Sequence, residues 1–257
     1  MTTRDTPWPD GTPCWIDLMT TDVEAARTFY GDLFGWQFDI GPAETGYYST
    51  ALLNDRRVAG VFSMEADHPP VWTTYLATGD ADATADAAVR AGGTLVQPTM
   101  DVMDLGRMTV LQDPTGGTFG TWQAGSHSGV QLANEAGALT WNELMTRDYD
   151  AAKEFYAAVF SYIYTELGDG GFQYSTIEVS GNTVGGLGTL PDEVPAQVPP
   201  HWRVYFAVDD ADESVAKAVS IGAEVLRPAQ NMPYGRHADL ADPQGGMFSI
   251  IKPTPAQ

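Results

Sequence analysis

The 257-residue chain has a single cysteine, Cys14, so it can close no intrachain disulfide and build no cysteine-based zinc or iron–sulfur site of its own. Cys14 alternates with Ile16 and Leu18 and has no neighbouring His or Lys in sequence, the setting of a buried structural thiol rather than of a nucleophile. Cations are scarce: 13 Lys and Arg stand against 34 Asp and Glu, a formal net charge of -21. Charge of that sign repels phosphate backbones and anionic headgroups, so neither nucleic acid nor a membrane is expected as a partner. No eighteen apolar residues run together and the opening MTTRDTPWPDGTP has no apolar stretch, which leads us to expect a cytoplasmic protein. Phosphate-loop context is missing too, because Gly92-Gly93 ends a helical pattern and Gly185-Gly186 lies within a strand pattern. With no nucleophile-elbow motif either, no cofactor is expected. Disorder is excluded by 43% hydrophobic and 11% aromatic residues, which is ample apolar area to offset chain entropy.

What the chain does have is an internal repeat. CWIDLMTTDVEAARTFYGDLFGWQFD, from Cys14 to Asp39, returns at Thr140 to Thr165 as TWNELMTRDYDAAKEFYAAVFSYIYT. Ten of the twenty-six positions are identical, where composition predicts about one or two. Two modules follow, 1–125 and 138–257, joined by a small, polar linker at 126–137, and both chain ends read as loose tails.

Each module opens on a strand. Cys14, Ile16 and Leu18 alternate with Trp15, Asp17 and Met19, the period-two pattern of a strand with two different faces. A helix follows, capped by Asp22, with Val23, Ala26, Phe29, Tyr30 and Leu33 at helical spacing until Gly35. Strands are then predicted at 36–40, 47–54 and 57–64, and the pattern restarts with a strand at 72–78, a helix at 80–91 and strands at 94–98, 107–112 and 118–123. A module is therefore two βαβββ units. The second copy answers the first: Tyr174-Ser175-Thr176 matches Tyr48-Ser49-Thr50, Trp202 matches Trp72, and the turn Asp242-Pro243-Gln244-Gly245 matches Asp113-Pro114-Thr115-Gly116.

The motif Asp22…Ala26…Phe29-Tyr30, repeated as Asp148…Ala152…Phe155-Tyr156 and closed each time by an Asp-Pro-x-Gly turn, resembles the vicinal oxygen chelate superfamily of glyoxalases, bleomycin-resistance proteins and extradiol dioxygenases. The opening GTPCWIDLMTTD, the segment YFAVDDAD and the closing DPQGGMFSIIKP are similar to a two-module actinobacterial subgroup of glyoxalase-like antigens and hydroxylases, among which is a binder and inhibitor of a Ser/Thr protein kinase. The resemblance implies an α+β fold in which paired βαβββ units curl into a U-shaped half-barrel, four units in all. On that fold Trp15, Asp17 and Met19 face one cup, and Trp141, Glu143 and Met145 the other.

Superfamily enzymes hold a divalent metal with His and Glu side chains inside the cup. Carried across by the resemblance, those positions fall on Trp15, near Gly60, near Thr73 and on Gly120 in the first module, and on Trp141, near Gly186, near Arg203 and on Ser249 in the second. None is a divalent-metal ligand, so no metal is expected at the usual site. Of the four histidines, His68 and His127 read as loop residues, while His201 and His237 could join Glu143 as an alternative ligand set.

Two carboxylates at matching inward positions, Asp17 and Glu143, are the candidates for acid–base work, or for hydrogen bonds that hold the sheet. Trp15, Tyr48, Trp72 and Trp122, echoed by Trp141, Tyr174 and Trp202, are candidate ligand-binding aromatics that could equally fill sheet interfaces. Arg107 and Arg236 correspond in the two copies and suit either a bidentate anion clamp or local ion pairs. The leading expectation is a metal-independent, monomeric protein holding a planar or carbonyl-bearing metabolite. The alternatives are a lyase, isomerase or hydroxylase-like enzyme using Asp17 or Glu143, and a regulator that binds a Ser/Thr kinase.

Overall fold

A computed structural model of the chain describes residues 2–63, 69–168 and 172–254. After a two-residue strand β1 (Thr2–Thr3), the first unit runs β2 (Pro13–Thr20), α1 (Val23–Phe34), β3 (Gln37–Ile40), β4 (Ser49–Leu53), β5 (Arg56–Ser63). The second is β6 (Val71–Ala77), α2 (Ala81–Arg90), β7 (Thr94–Val102), β8 (Gly106–Gln112), β9 (Thr118–Ala124). A short β10 (Leu132–Ala133) precedes the third, β11 (Leu139–Thr146), α3 (Tyr149–Phe160), β12 (Ile163–Glu166), β13 (Tyr174–Val179), β14 (Asn182–Thr189). The fourth is β15 (His201–Ala207), α4 (Ala211–Ser220), β16 (Glu224–Met232), β17 (Gly235–Ala241), β18 (Met247–Pro253).

Local chemistry sets these boundaries. Asp22 caps α1 by accepting from the Ala25 amide at 2.9 Å, Asp148 caps α3 in the same way at 3.2 Å, and Gly35 ends α1 at φ 76°. Within each module the two units join through their first strands. β2 pairs antiparallel with β6, with Asp17 opposite Thr73, and β11 pairs antiparallel with β15, with Glu143 opposite Arg203. The strand order that results is β3-β4-β5-β2-β6-β9-β8-β7 in one module and β12-β13-β14-β11-β15-β18-β17-β16 in the other. These are the two half-barrels.

The hydrophobic cores do not follow the module boundary. One core packs Ala26, Phe29, Tyr30 and Phe34 of α1 against Val204, Phe206, Phe248 and Ile250 of the fourth unit. The other packs Ala152, Phe155 and Tyr156 of α3 against Leu76, Leu111 and Phe119 of the second. Each core is tied by the repeated sequence motifs. Tyr30 Oη donates to Asp242 Oδ2 at 3.0 Å, and Asp242 Oδ1 accepts from the amides of Gln244 and Gly246 at 2.9 and 2.8 Å. Tyr156 makes the same 3.0 Å bond to Asp113, which accepts from the Thr115 and Gly117 amides. The Phe-Tyr of one module and the Asp-Pro-x-Gly of the other thus form one hydrogen-bonded unit. A Cβ at Gly117 or at Gly246 would stand 2.6 Å from that carboxylate, which is why glycine follows each turn.

The segment joining the modules is not a loose linker. His127, Ser128, Val130 and Leu132 are buried, the Val130 amide donates to the Cys14 carbonyl, and the Trp8 indole donates to the Val130 carbonyl at 3.0 Å. The N-terminal residues are held as well, because β1 pairs with β10. Small residues in this stretch allow close backbone approach rather than flexibility: a Cβ at Gly129 would press into the Cys14 carbonyl. His68 and the predicted strand end at Met64 lie outside the described residues.

Candidate functional site

The inward face of β2 carries the first cup. Trp15 Nε1 donates to Tyr48 Oη at 2.9 Å, and Tyr48 Oη donates in turn to Asp17 Oδ2 at 3.3 Å. The other carboxylate oxygen, Oδ1, is buried with no hydrogen-bond partner among the described residues, and Asp17 as a whole is 5% exposed. Burial pushes the Asp17 carboxyl up to about 7, against the pull of the Tyr75 and Tyr48 hydroxyls in the opposite direction. Tyr75 stands opposite Trp15 on β6 and is itself buried. At the end of the cup, His127 packs edge-on against Trp15 with ring centroids 4.4 Å apart and against Trp122 at 5.4 Å, while its carbonyl accepts from the Trp122 indole at 2.8 Å. Burial first, and then the charge of Arg57, hold the His127 imidazole down at about 4, so it is neutral at pH 7.

The second cup repeats the skeleton with different electrostatics. Trp141 Nε1 donates to Tyr174 Oη at 3.2 Å, and Glu143 accepts from Tyr174 at 2.9 Å and from Tyr205 at 2.6 Å. Here the carboxylate has a cation. Arg203 Nη1 lies 3.7 Å from Glu143 and 3.5 Å from Asp239, Arg227 Nε lies 3.4 Å from Asp239, and Ser249 donates to Asp239 at 2.7 Å. Two acids and two guanidiniums balance. His237 is buried beside this chain of charges, its Nε2 without a partner among the described residues, and burial lowers its basicity.

At the four positions where the superfamily's metal ligands are expected, the side chains do not fit a divalent ion. Trp15 and Trp141 spend their indole N–H groups on tyrosines. The space a ligand side chain would need at Gly60 is taken by the Tyr48 hydroxyl, at Gly186 by the Tyr174 hydroxyl, and at Gly120 by the Tyr75 ring. Glu143, His201 and His237 share the second cup, but among the described residues no three His, Cys, Asp or Glu side chains come together to hold a metal ion, and His201 Nδ1 sits 2.9 Å from the Pro199 carbonyl oxygen.

Four of the candidate ligand-binding residues are not in the cups. Trp72 donates its indole N–H to Tyr30 at 3.1 Å and Trp202 donates to Tyr156 at 3.0 Å, which places both on the opposite sheet face, inside the cores that cross the modules. Arg107 bonds Asp82 at 2.7 Å and Asp101 at 2.8 Å, and Arg236 grips Asp212 through two bonds of 2.7 Å. These guanidiniums tie a strand to the first turn of α2 or α4 on the outer surface, where local acids already satisfy them. Trp15, Tyr48, Trp122, Trp141, Tyr174, Asp17 and Glu143 do line the cups. Sequence pattern did not single out Tyr75 and Tyr205, although the repeat carries them as Trp-x-x-Tyr in WTTY and WRVY. No local signal points to His127, which reaches Trp15 only through tertiary folding.

A sequence profile described as the glyoxalase/bleomycin resistance protein/dioxygenase superfamily matches residues 14–120, and one described as a glyoxalase-like domain matches residues 141–251. A protein of Mycobacterium tuberculosis (strain CDC 1551 / Oshkosh) named "Putative glyoxylase CFP32" is 44% identical over 255 residues, covering 96% of this chain and 97% of that one. The chain belongs to this superfamily. The anthracycline biosynthesis protein DnrV of Streptomyces peucetius is 35% identical over 258 residues, covering 94% of this chain and 93% of its own. Among solved structures, the Mn(II)-bound glyoxalase of Novosphingobium aromaticivorans superposes with a TM-score of 0.65 at 13% identity, covering 95% of this chain and 82% of that one. The 2,3-dioxygenase LapB of Pseudomonas sp. KL28 does so at 0.61 and 14%, covering 98% and 96%. At those identities the likeness is one of fold. No helix among the described residues is long and apolar enough to cross a membrane.

Proposed function

We propose that this superfamily member binds a planar or carbonyl-bearing metabolite in its aromatic cups without a metal. One observation carries the reading: in both modules tyrosine hydroxyls and rings fill the space that metal-ligating side chains would occupy, and the first-strand position is tryptophan in each. Indole and phenol groups offer polarisable faces and hydrogen-bond donors that suit a flat, oxygenated ring system. The 35% identity to anthracycline biosynthesis proteins makes a polycyclic hydroxyquinone a reasonable class of ligand. The test combines elemental analysis of protein purified without chelator with titration by a dihydroxyanthraquinone, read as tryptophan fluorescence quenching. Substoichiometric metal and saturable quenching that is lost in Trp141→Leu are expected. A full equivalent of divalent metal, or quenching indifferent to both Trp15→Leu and Trp141→Leu, would overturn the proposal.

A second reading rests on the raised carboxyl of Asp17. A group that ionises near 7, with tyrosine hydroxyls beside it, is suited to move a proton next to a carbonyl. Asp17 would then take or give the proton, with the Tyr48 hydroxyl holding its Oδ2 in place. Solvent-hydrogen exchange into a bound ketone, followed by NMR, is expected to rise through pH 7 and to stop in Asp17→Asn. Exchange at the same rate in that variant removes the reading.

A further inference from the structure

The two cups are built on one plan but differ in charge, and the register of the paired strands locates the difference. Arg203 stands opposite Glu143 on β15, whereas Thr73 stands opposite Asp17 on β6. Asp239, which extends the charge network in the second cup, is matched in the first by Val110, since each pairs with the corresponding final-strand residue, Ser249 or Gly120. The groups that act on Asp17 are the hydroxyls of Tyr48 from β4 and Tyr75 from β6. Its strand neighbours are Trp15 and Met19, and Gly60 faces it from β5. None is a cation. His127, at the end of the cup, is neutral at pH 7, and Arg57 is engaged with the Gln131 side chain at 3.3 Å.

A carboxylate buried among aromatic side chains with one oxygen unpartnered is costly, and it is stabilised by a charge-bearing donor brought to that oxygen. Aromatic faces around the same point favour a cation over a neutral donor. Tyr48, Thr73 and Met19, the neighbours of Asp17 from the edge of β4, from β6 and from its own strand, are only half-buried, whereas Asp17 Oδ1 itself is buried. We propose that the first cup is selective for an aromatic ligand bearing a protonated amine, its N–H donors directed at Asp17 Oδ1, and that Arg203 bars such a ligand from the equivalent place in the second cup. This rests on the reading of the cups as small-molecule sites.

The probe pair is 1-naphthylmethylammonium and its neutral analogue 1-naphthalenemethanol, titrated calorimetrically into the intact protein at pH 8 and 150 mM salt. The ammonium is expected to bind once per chain and at least tenfold more tightly than the alcohol, and its advantage is expected to shrink as pH falls below 7. That advantage should vanish in Asp17→Asn and in Thr73→Arg, which gives the first cup the cation of the second. Thermal melts establish that each variant is folded, and Asp17→Asn, close to isosteric, suffices if Thr73→Arg is not. Equal affinity for the two probes in the unaltered protein overturns the amine selectivity and leaves the cup reading standing. An ammonium preference that survives Asp17→Asn also overturns it, by showing that the acidic surface holds the probe. If neither probe binds while the anthraquinone does, only this proposal falls; if none of the three binds, both fall.

Discussion

Asp17 is a buried acid whose native-state ionisation near 7 lies well above the unfolded value near 3.9, so the folded protein holds its proton more tightly than the unfolded chain. The stability linked to that proton is complete below about pH 4 and is lost as pH rises through 7, with about 1.4 kcal/mol for every pH unit that separates the folded from the unfolded value. Urea unfolding between pH 4.5 and 8 is expected to show a gap between Asp17→Asn and the unaltered protein that moves by a few kcal/mol in favour of the variant as pH rises. A constant gap would mean that the carboxyl titrates normally. His127 works with the opposite sign, its folded value of about 4 costing stability as pH falls below 6.5, and the comparison with Asp17→Asn cancels it. Gly60 is the second residue-scale test. Gly60→Ala drives a methyl group into the Tyr48 hydroxyl and is expected to cost about 3 kcal/mol, the upper end of overpacking penalties, with Tyr48→Ala recovering part of the loss in the double variant. Additive losses would place the Tyr48 ring elsewhere.

At the scale of elements, α1 and α3 serve both modules, each packing on its own and on the other. Tyr30 accepts from the Trp72 indole and donates to Asp242, so Tyr30→Phe leaves one buried donor and one buried carboxylate oxygen without partners. At about 1–3 kcal/mol for each of the two orphaned groups, a loss of about 2–6 kcal/mol is expected from chemical denaturation, with a similar loss for Tyr156→Phe. A change below about 0.5 kcal/mol in both would refute the latch. The elements themselves were legible because their periods are local: alternation along β2 and helical spacing along α1 report burial whatever lies beyond. Which face was which was not legible. Both faces of these sheets are covered, one by a helix and one by the cup lining, so Trp72 and Trp15 look alike in sequence although they point to opposite sides. Arg107 and Arg236 were open to two readings for the same reason, and α2 and α4 supplied the acids that decided between them.

For the whole molecule, the crossing of the cores means that neither sequence module holds a complete hydrophobic interior. Residues 1–125 alone would expose Phe29, Tyr30 and Phe34 where unit four should cover them, and Leu76, Leu111 and Phe119 where α3 should. Fragments 1–125 and 138–257 are expected to lack cooperative thermal transitions when made separately and to recover one when co-expressed, whereas the full chain should elute at monomer mass by light scattering. A cooperative melt from either fragment as a monomer would show that the crossed cores are dispensable. The segment at 126–137 takes part in this integration, since it packs His127 into the first cup and pairs β10 with the N-terminal β1.

The repeat, the four βαβββ units, the caps and the turns are written in the amino-acid order alone, because they depend on spacings of a few residues and on the backbone preferences of Asp, Pro and Gly. Once the family resemblance supplies the metal-ligand positions, the indole and glycine that stand at several of them are read from the sequence as well. Three outcomes needed the folded chain: that the cores cross between modules, that Tyr30 and Tyr156 seek the opposite Asp-Pro-x-Gly turn, and that among the described residues Glu143 has a cation while Asp17 has none. Those depend on which distant strands lie side by side. A one-to-one register across β2–β6 and β11–β15 sets Thr73 against Asp17 and Arg203 against Glu143, and with them the difference between two cups that share one plan.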